Sequence, residues 1–135
     1  MFSYRLPFTI YRLPFTAYRL REFIMATPDL AHKKCKPCEG GTSPLKPQEI
    51  TQLLKQIDGW EYKGGVITKT YEFKNYYQTM AFVNAAAWVS HREDHHPDMT
   101  VGYNECKVGY STHAIGGLSE NDFICAAKLD ALFSL

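Results

Sequence analysis

The sequence has no long hydrophobic run, few cysteines and almost no net charge. No apolar stretch approaches the roughly 20 residues that a membrane-spanning helix needs, so a soluble domain without membrane attachment is expected. Four cysteines in 135 residues, with Cys106 and Cys125 far from Cys35 and Cys38, make no disulfide framework. A reducing compartment, the cytoplasm, fits that usage best. The net charge is +1, and it is unevenly placed. Arg5, Arg12, Arg19 and Arg21 face one acid, Glu22, in the first 24 residues, which leaves the rest slightly acidic. Such a chain lacks the basic face that direct nucleic-acid binding requires. Its length leaves room for one domain of ordinary size.

Histidine is scarce too, but it is concentrated. Four of the five histidines fall between His91 and His113, two of them adjacent: His91, His95, His96 and His113. The unperturbed imidazole pKa, about 6.5, lets this side chain give and take protons near neutrality. The cluster therefore points to proton transfer or to metal binding.

Residues 1–24 repeat themselves. The hexapeptide Tyr4–Thr9 recurs as Tyr11–Thr16 and begins again at Tyr18. Pro7 and Pro14 exclude a helical heptad, and three short copies cannot build a solenoid. The segment is arginine-rich and poor in acids, as organelle presequences often are, yet it is poor in serine. It is expected to be dispensable, or else a targeting peptide that sends the protein to an organelle. Residues 25–44, with Pro28, Pro37, Gly40, Gly41, Pro44 and several lysines, are expected to be a linker. Its Cys35-x-x-Cys38 pair lacks the second pair of a zinc ribbon and the preceding strand of a redox fold. Inert thiols are expected there, ahead of redox or metal roles.

The patterned domain covers 45–135. Pro47 suits a helix start, and Ile50, Leu53, Leu54 and Ile57 form a helical stripe ended by Asp58-Gly59. A short strand at Trp60–Tyr62 and a turn at Lys63-Gly64-Gly65 follow. Ile67, Tyr71 and Phe73 alternate with polar residues in a strand over Val66–Phe73, with Lys69 an exception on the apolar side. Asn75 can cap a helix over Tyr76–Arg92. That helix has two apolar stripes, one with Tyr76, Met80, Val83 and Ala87, the other with Phe82, Ala86 and Val89. A helix apolar on two sides is usually covered twice, so a homo-oligomer is expected. Met99–Tyr103 and Cys106–Thr112 alternate as strands around a turn at Asn104-Glu105. Ser119 through Asp122 resembles a capping box, and a last helix runs to near Leu135. The order α-β-β-α-β-β-α predicts an α+β fold: a two-layer, four-stranded antiparallel sheet with helices on one face.

On this reading His91 ends the second helix, His95 and His96 lie in the following loop, and His113 ends the fourth strand. The hairpin of strands three and four can bring His95, His96 and His113 together. A metal site needs His91 and His95 on one helix, four apart, as zinc ligands are. Pro97 implies that the helix stops before His95, so no metal is expected. Asp122 also reads plainly as a helix cap.

The segments His95-His96-Pro97-Asp98-Met99-Thr100-Val101-Gly102-Tyr103-Asn104 and Ser111-Thr112-His113-Ala114-Ile115-Gly116-Gly117-Leu118-Ser119-Glu120-Asn121-Asp122-Phe123-Ile124 resemble, in order and spacing, the motif of the pterin-4a-carbinolamine dehydratases. The strand Ile67–Phe73, Trp60 and Phe82 match as well, and Cys35–Gly41 is similar to a leader of microbial members. The resemblance implies a four-stranded antiparallel sheet, assembly as a homodimer or homotetramer, and dehydration of 4a-hydroxytetrahydropterin without metal or organic cofactor. It places the family's active-site residues on His95, His96, His113 and Asp122. His91 and Pro97 are expected to contact the pterin substrate, although many members carry an acid where His91 stands. His96 and His113 are expected to act at the departing hydroxyl and the ring nitrogen, with His95 orienting. Some animal members also act as dimerisation cofactors of a homeodomain transcription factor. A non-catalytic binding module with an unknown protein partner is therefore the second reading, and a metal-dependent hydrolase the third.

Overall fold

Alternating side chains build the sheet. In the computed structural model, which describes residues 29–38 and 41–133, the strands are β1 (Glu61–Lys63), β2 (Val66–Glu72), β3 (Asp98–Val101) and β4 (Glu105–Tyr110). They pair antiparallel throughout in the order β1-β2-β4-β3. Three α-helices accompany them: α1 (Pro47–Leu54), α2 (Tyr76–Glu93) and α3 (Glu120–Ala131). The fold is the expected α+β arrangement. The N-terminal repeat, residues 1–24, lies outside the described residues. The last helix, expected to run to near Leu135, ends at Ala131 and is followed by a turn at Leu132 and Phe133.

One face of the sheet is buried and the other is wet. Ile67, Tyr71, Cys106, Val108 and Tyr110 are buried, whereas Thr70, Glu72, Glu105 and Lys107 on the opposite parity are exposed. The helices cover the buried face, and α3 supplies Phe123, Ile124, Cys125, Ala126 and Leu129 to the core. Among the described residues, no helix is long and apolar enough to cross a membrane.

Two hairpin turns differ in how far the residues dictate them. Lys63 pairs with Val66, so Gly64 and Gly65 form a two-residue turn with φ of 61° and 84°. Only glycine takes two successive positive φ values at no steric cost. The second turn lies one residue earlier than expected, at Tyr103-Asn104, because Gly102 N–H donates to Glu105 O at 2.8 Å. Contacts from outside the hairpin hold it there. Phe73 N–H donates to Asn104 O, and the Thr79 hydroxyl donates to Tyr103 O.

Lys69, the polar residue on the apolar face, finds its partners across the fold. Its ammonium lies 2.7 Å from both Asp130 Oδ1 and Asp58 O. Asp130 also accepts from the Tyr71 hydroxyl at 2.7 Å and the Trp60 indole N–H at 3.0 Å. One carboxylate thus satisfies three donors that the core half-buries. Asp130→Ala is expected to destabilise the fold by about 2–3 kcal/mol, because it strands a half-buried cation and two polar hydrogens. Urea unfolding of the variant measures this, and an unchanged midpoint would refute it.

The expected linker over 25–44 is corrected in its described part. Leu30 is buried within a 3-10 turn over Leu30–His32. Residues Lys34–Cys38 then cross the ends of α2 and α3 as a docked strap, held by side-chain hydrogen bonds that no local pattern reveals.

Candidate active site

The end of α2 presents the paired histidines. Asp94 adopts the left-handed conformation (φ 50°, ψ 41°) and its N–H caps Ser90 O. Asp is among the few residues that take this conformation readily. The chain turns there, so His95 leaves the helix axis one residue later. His91 is still in the last helical turn, exposed, with its ring 5.5 Å from Trp88. His91 and His95 therefore do not share a helix face, and the zinc-pair geometry does not form. Among the described residues no group of three or more His, Cys, Asp or Glu is placed to hold a metal.

His113 arrives differently from expectation. β4 stops at Tyr110, and His113 opens a 3-10 turn over His113–Ile115. A bridge closes this turn: Thr112 N–H donates to Gly117 O at 2.9 Å. Gly117 has to be glycine, because a Cβ there would sit 2.8 Å from Pro44 Cβ. The same contact allows Leu45 N–H to reach Leu118 O at 2.8 Å. The Gly116-Gly117 break is thus the clasp that positions His113.

Asp122 lies beneath both loops with no exposed surface. Its Oδ2 accepts from Ser119 N–H and from the Thr112 hydroxyl, each at 2.8 Å. The first bond is the carboxylate half of the capping box. Its Oδ1 lies 2.7 Å from His95 Nε2. Cap and histidine partner are one residue. His95 is fixed from its face as well, stacked on Tyr110 at 5.7 Å with 9° between the rings.

Above this pair opens a cavity of about 550 Å³, within the size range of small-molecule sites. His95, His96, Thr112 and His113 line it. His96 and His113 are exposed, and the contact from His96 Nδ1 to Pro97 O, 3.4 Å, is too long to fix its ring. The structure brings three of the four histidines to one cavity. It does not bring His91 or Pro97 to the lining: Pro97 is buried and His91 faces outward.

Sequence reasoning missed one side of the cavity, the strap Lys34–Cys38. Cys35 N–H donates to Glu93 Oε2 at 3.0 Å, and Lys128 and Lys34 also approach the Glu93 carboxylate. Burial alone would push this carboxyl up; the Cys35 N–H and the two ammoniums outweigh it and hold it below the ordinary glutamate value. Cys35 Sγ lies 3.6 Å from Cys125 Sγ. That hydrogen bond and burial keep the Cys125 thiol far above its usual range. The only sequence signal for the strap was the likeness of Cys35–Gly41 to a microbial leader.

The family described as pterin 4 alpha carbinolamine dehydratase matches residues 43–132. A curated relative from Nitrosospira multiformis, named as a pterin-4-alpha-carbinolamine dehydratase, is 72% identical over 107 residues, covering 79% of this chain and 95% of the relative. One of the same name from Nitrosomonas eutropha is 70% identical, covering 77% and 93%. A solved structure from Brucella melitensis, titled transcriptional coactivator/pterin dehydratase, superposes with a TM-score of 0.64 at 30% identity, covering 67% of this chain and 98% of that one. With the family matched over 43–132, which holds the whole sheet, the three α-helices and the four clustered histidines, the chain belongs to the pterin-4a-carbinolamine dehydratases, which are hydro-lyases.

Proposed function

We propose that the protein dehydrates 4a-hydroxytetrahydropterin to quinonoid dihydropterin and water, with histidines moving both protons. The observation that carries the reading is the His95–Asp122 pair on the floor of a cavity that also holds His96 and His113. A carbinolamine bears hydroxyl and amine nitrogen on one carbon. When the hydroxyl takes a proton and leaves as water, the nitrogen lone pair forms the C=N bond, and the nitrogen gives up its proton to a base.

Asp122 selects the base. An ionised carboxylate only accepts, so His95 Nε2 carries the hydrogen it shares with Oδ1. Nδ1 then keeps a lone pair for the substrate proton. This moves one proton step onto His95, where the expectation drawn with the family resemblance had His96 and His113 at the two protons and His95 orienting. His113 delivers the proton to the departing hydroxyl, and His96 binds the ring. Both steps run through side chains and call on no metal or organic cofactor.

The assembly expectation rests on α2. Phe82 and Ala86 of one stripe are buried, while in the other stripe Tyr76 and Ala87 are exposed and Met80 and Val83 half-buried. This uncovered face supports a homodimer or homotetramer. The spacing of the four cysteines, which makes no disulfide framework, fits a reducing, cytoplasmic setting.

The direct test mixes the protein with freshly generated 4a-hydroxytetrahydropterin and follows quinonoid dihydropterin by absorbance. Acceleration over the spontaneous reaction is expected. Its absence would shift the reading to a binding module.

A further inference from the structure

The strap is clamped by buried side chains from the C-terminal end of α2 and the N-terminal end of α3. Lys36 N–H donates to Asn121 Oδ1 at 3.0 Å, and Asn121 Nδ2 donates back to Lys36 O at 2.7 Å and to Cys38 Sγ at 3.2 Å. That uses the acceptor and both donor hydrogens of the amide. Glu93 holds the neighbouring Cys35 N–H. Asn121 and Glu93 are only 7% and 8% exposed. Yet α3 is capped by Ser119 and Asp122, and α2 by the turn at Asp94. Both clamps are also rigidly linked to the reacting groups: Asn121 precedes Asp122, and Glu93 lies two residues before His95. Ordering an irregular segment costs backbone entropy, and here buried polar groups offset that cost beside a cavity.

We propose that Lys34–Cys38 is a substrate-contacting wall of the pterin site, and that Asn121 and Glu93 are positioning residues that set its distance from the histidines. The inference rests on the cavity being the pterin site. The histidines act at the carbon that loses the hydroxyl. The strap contributes contacts made equally by substrate and transition state. Loosening it therefore raises KM and leaves kcat in place, whereas a defect in the proton-transfer groups lowers kcat.

Two variants of the full chain test this. Asn121→Ala removes the clamp from α3. Lys36→Pro removes the N–H that Asn121 accepts while leaving α3 and the core untouched, so it does not act by unfolding the domain. Each is expected to raise KM about 5- to 20-fold, the scale of one or two hydrogen bonds, with kcat within about twofold of wild type. The dissociation constant of 6-methylpterin, followed by its fluorescence, should rise in parallel. Unchanged KM, or a fall in kcat alone, overturns the proposal.

A cross-link reports the strap independently of turnover. Diamide should accept the two thiol hydrogens of Cys35 and Cys125, becoming the hydrazine as the disulfide forms, and both variants should slow this step. Cys125 is equally buried in all three proteins, so the comparison reads the strap: a wild-type protein that binds 6-methylpterin but forms the Cys35–Cys125 link no faster than the two variants overturns the docked wall. One that forms the link but binds no pterin overturns the site reading, and the strap's substrate role with it.

Discussion

His95→Gln is expected to lower kcat/KM for 4a-hydroxytetrahydropterin by about 10²- to 10⁴-fold, the usual contribution of one general acid or base, while the protein stays folded. Glutamine is chosen because its amide N–H can still reach Asp122 Oδ1, where His95 Nε2 now lies at 2.7 Å. The buried carboxylate then keeps its third donor, and the packing on Tyr110 loses little volume. What disappears is the lone pair able to take the proton from the ring nitrogen. His95→Ala would mix that loss with an unpaired oxygen and a cavity. Steady-state kinetics by the absorbance assay, beside a thermal melt, separate the two effects. A glutamine variant with more than about a tenth of wild-type turnover would remove His95 from the proton-transfer step.

Asp122→Asn is expected to damage both activity and stability. The carboxylate faces three donors: Ser119 N–H, the Thr112 hydroxyl and His95 Nε2. An amide presents two hydrogens of its own, so at least one donor meets a donor in a site without water access. The expected cost is about 2–4 kcal/mol of stability, typical of a broken buried polar network. It falls on the cap of α3 and on the Thr112–Gly117 clasp together. Turnover should fall about 10²-fold or more, because the hydrogen bond that sets the His95 tautomer is compromised. A double-mutant cycle distinguishes this from simple structural damage. If Asp122 acts through His95, adding Asp122→Asn to His95→Gln should cost little further kcat, though it still costs stability. Full additivity in kcat would leave Asp122 as a helix cap alone.

The sheet was legible because its signal is local. Alternation over Ile67–Phe73 and Cys106–Tyr110 reports burial on one face, and Gly64-Gly65 has the chemistry of a tight turn. The β3–β4 turn was misplaced by one residue because its anchors, Phe73 and Thr79, lie outside the hairpin, Thr79 being 24 residues from the Tyr103 carbonyl it holds. Lys69 looked like an exception because its partner Asp130 is 61 residues away. The strap was read as a linker for the same reason: proline, glycine and lysine content describes local backbone preference, and Asn121 contacts it from 85 residues away.

By itself, the sequence determined the element order, the antiparallel sheet, the family, and the convergence of His95, His96 and His113 at one end of a hairpin. These follow from periodicity, turn chemistry and motif spacing, which act over a few residues. The tertiary structure decided which histidine Asp122 grips, that His91 and Pro97 stay out of the cavity lining, and that Lys34–Cys38 closes one side of it. Those outcomes depend on directed hydrogen bonds between side chains brought together only when α2, α3 and the strap pack. Distance and angle govern such bonds, and no one-dimensional pattern encodes either.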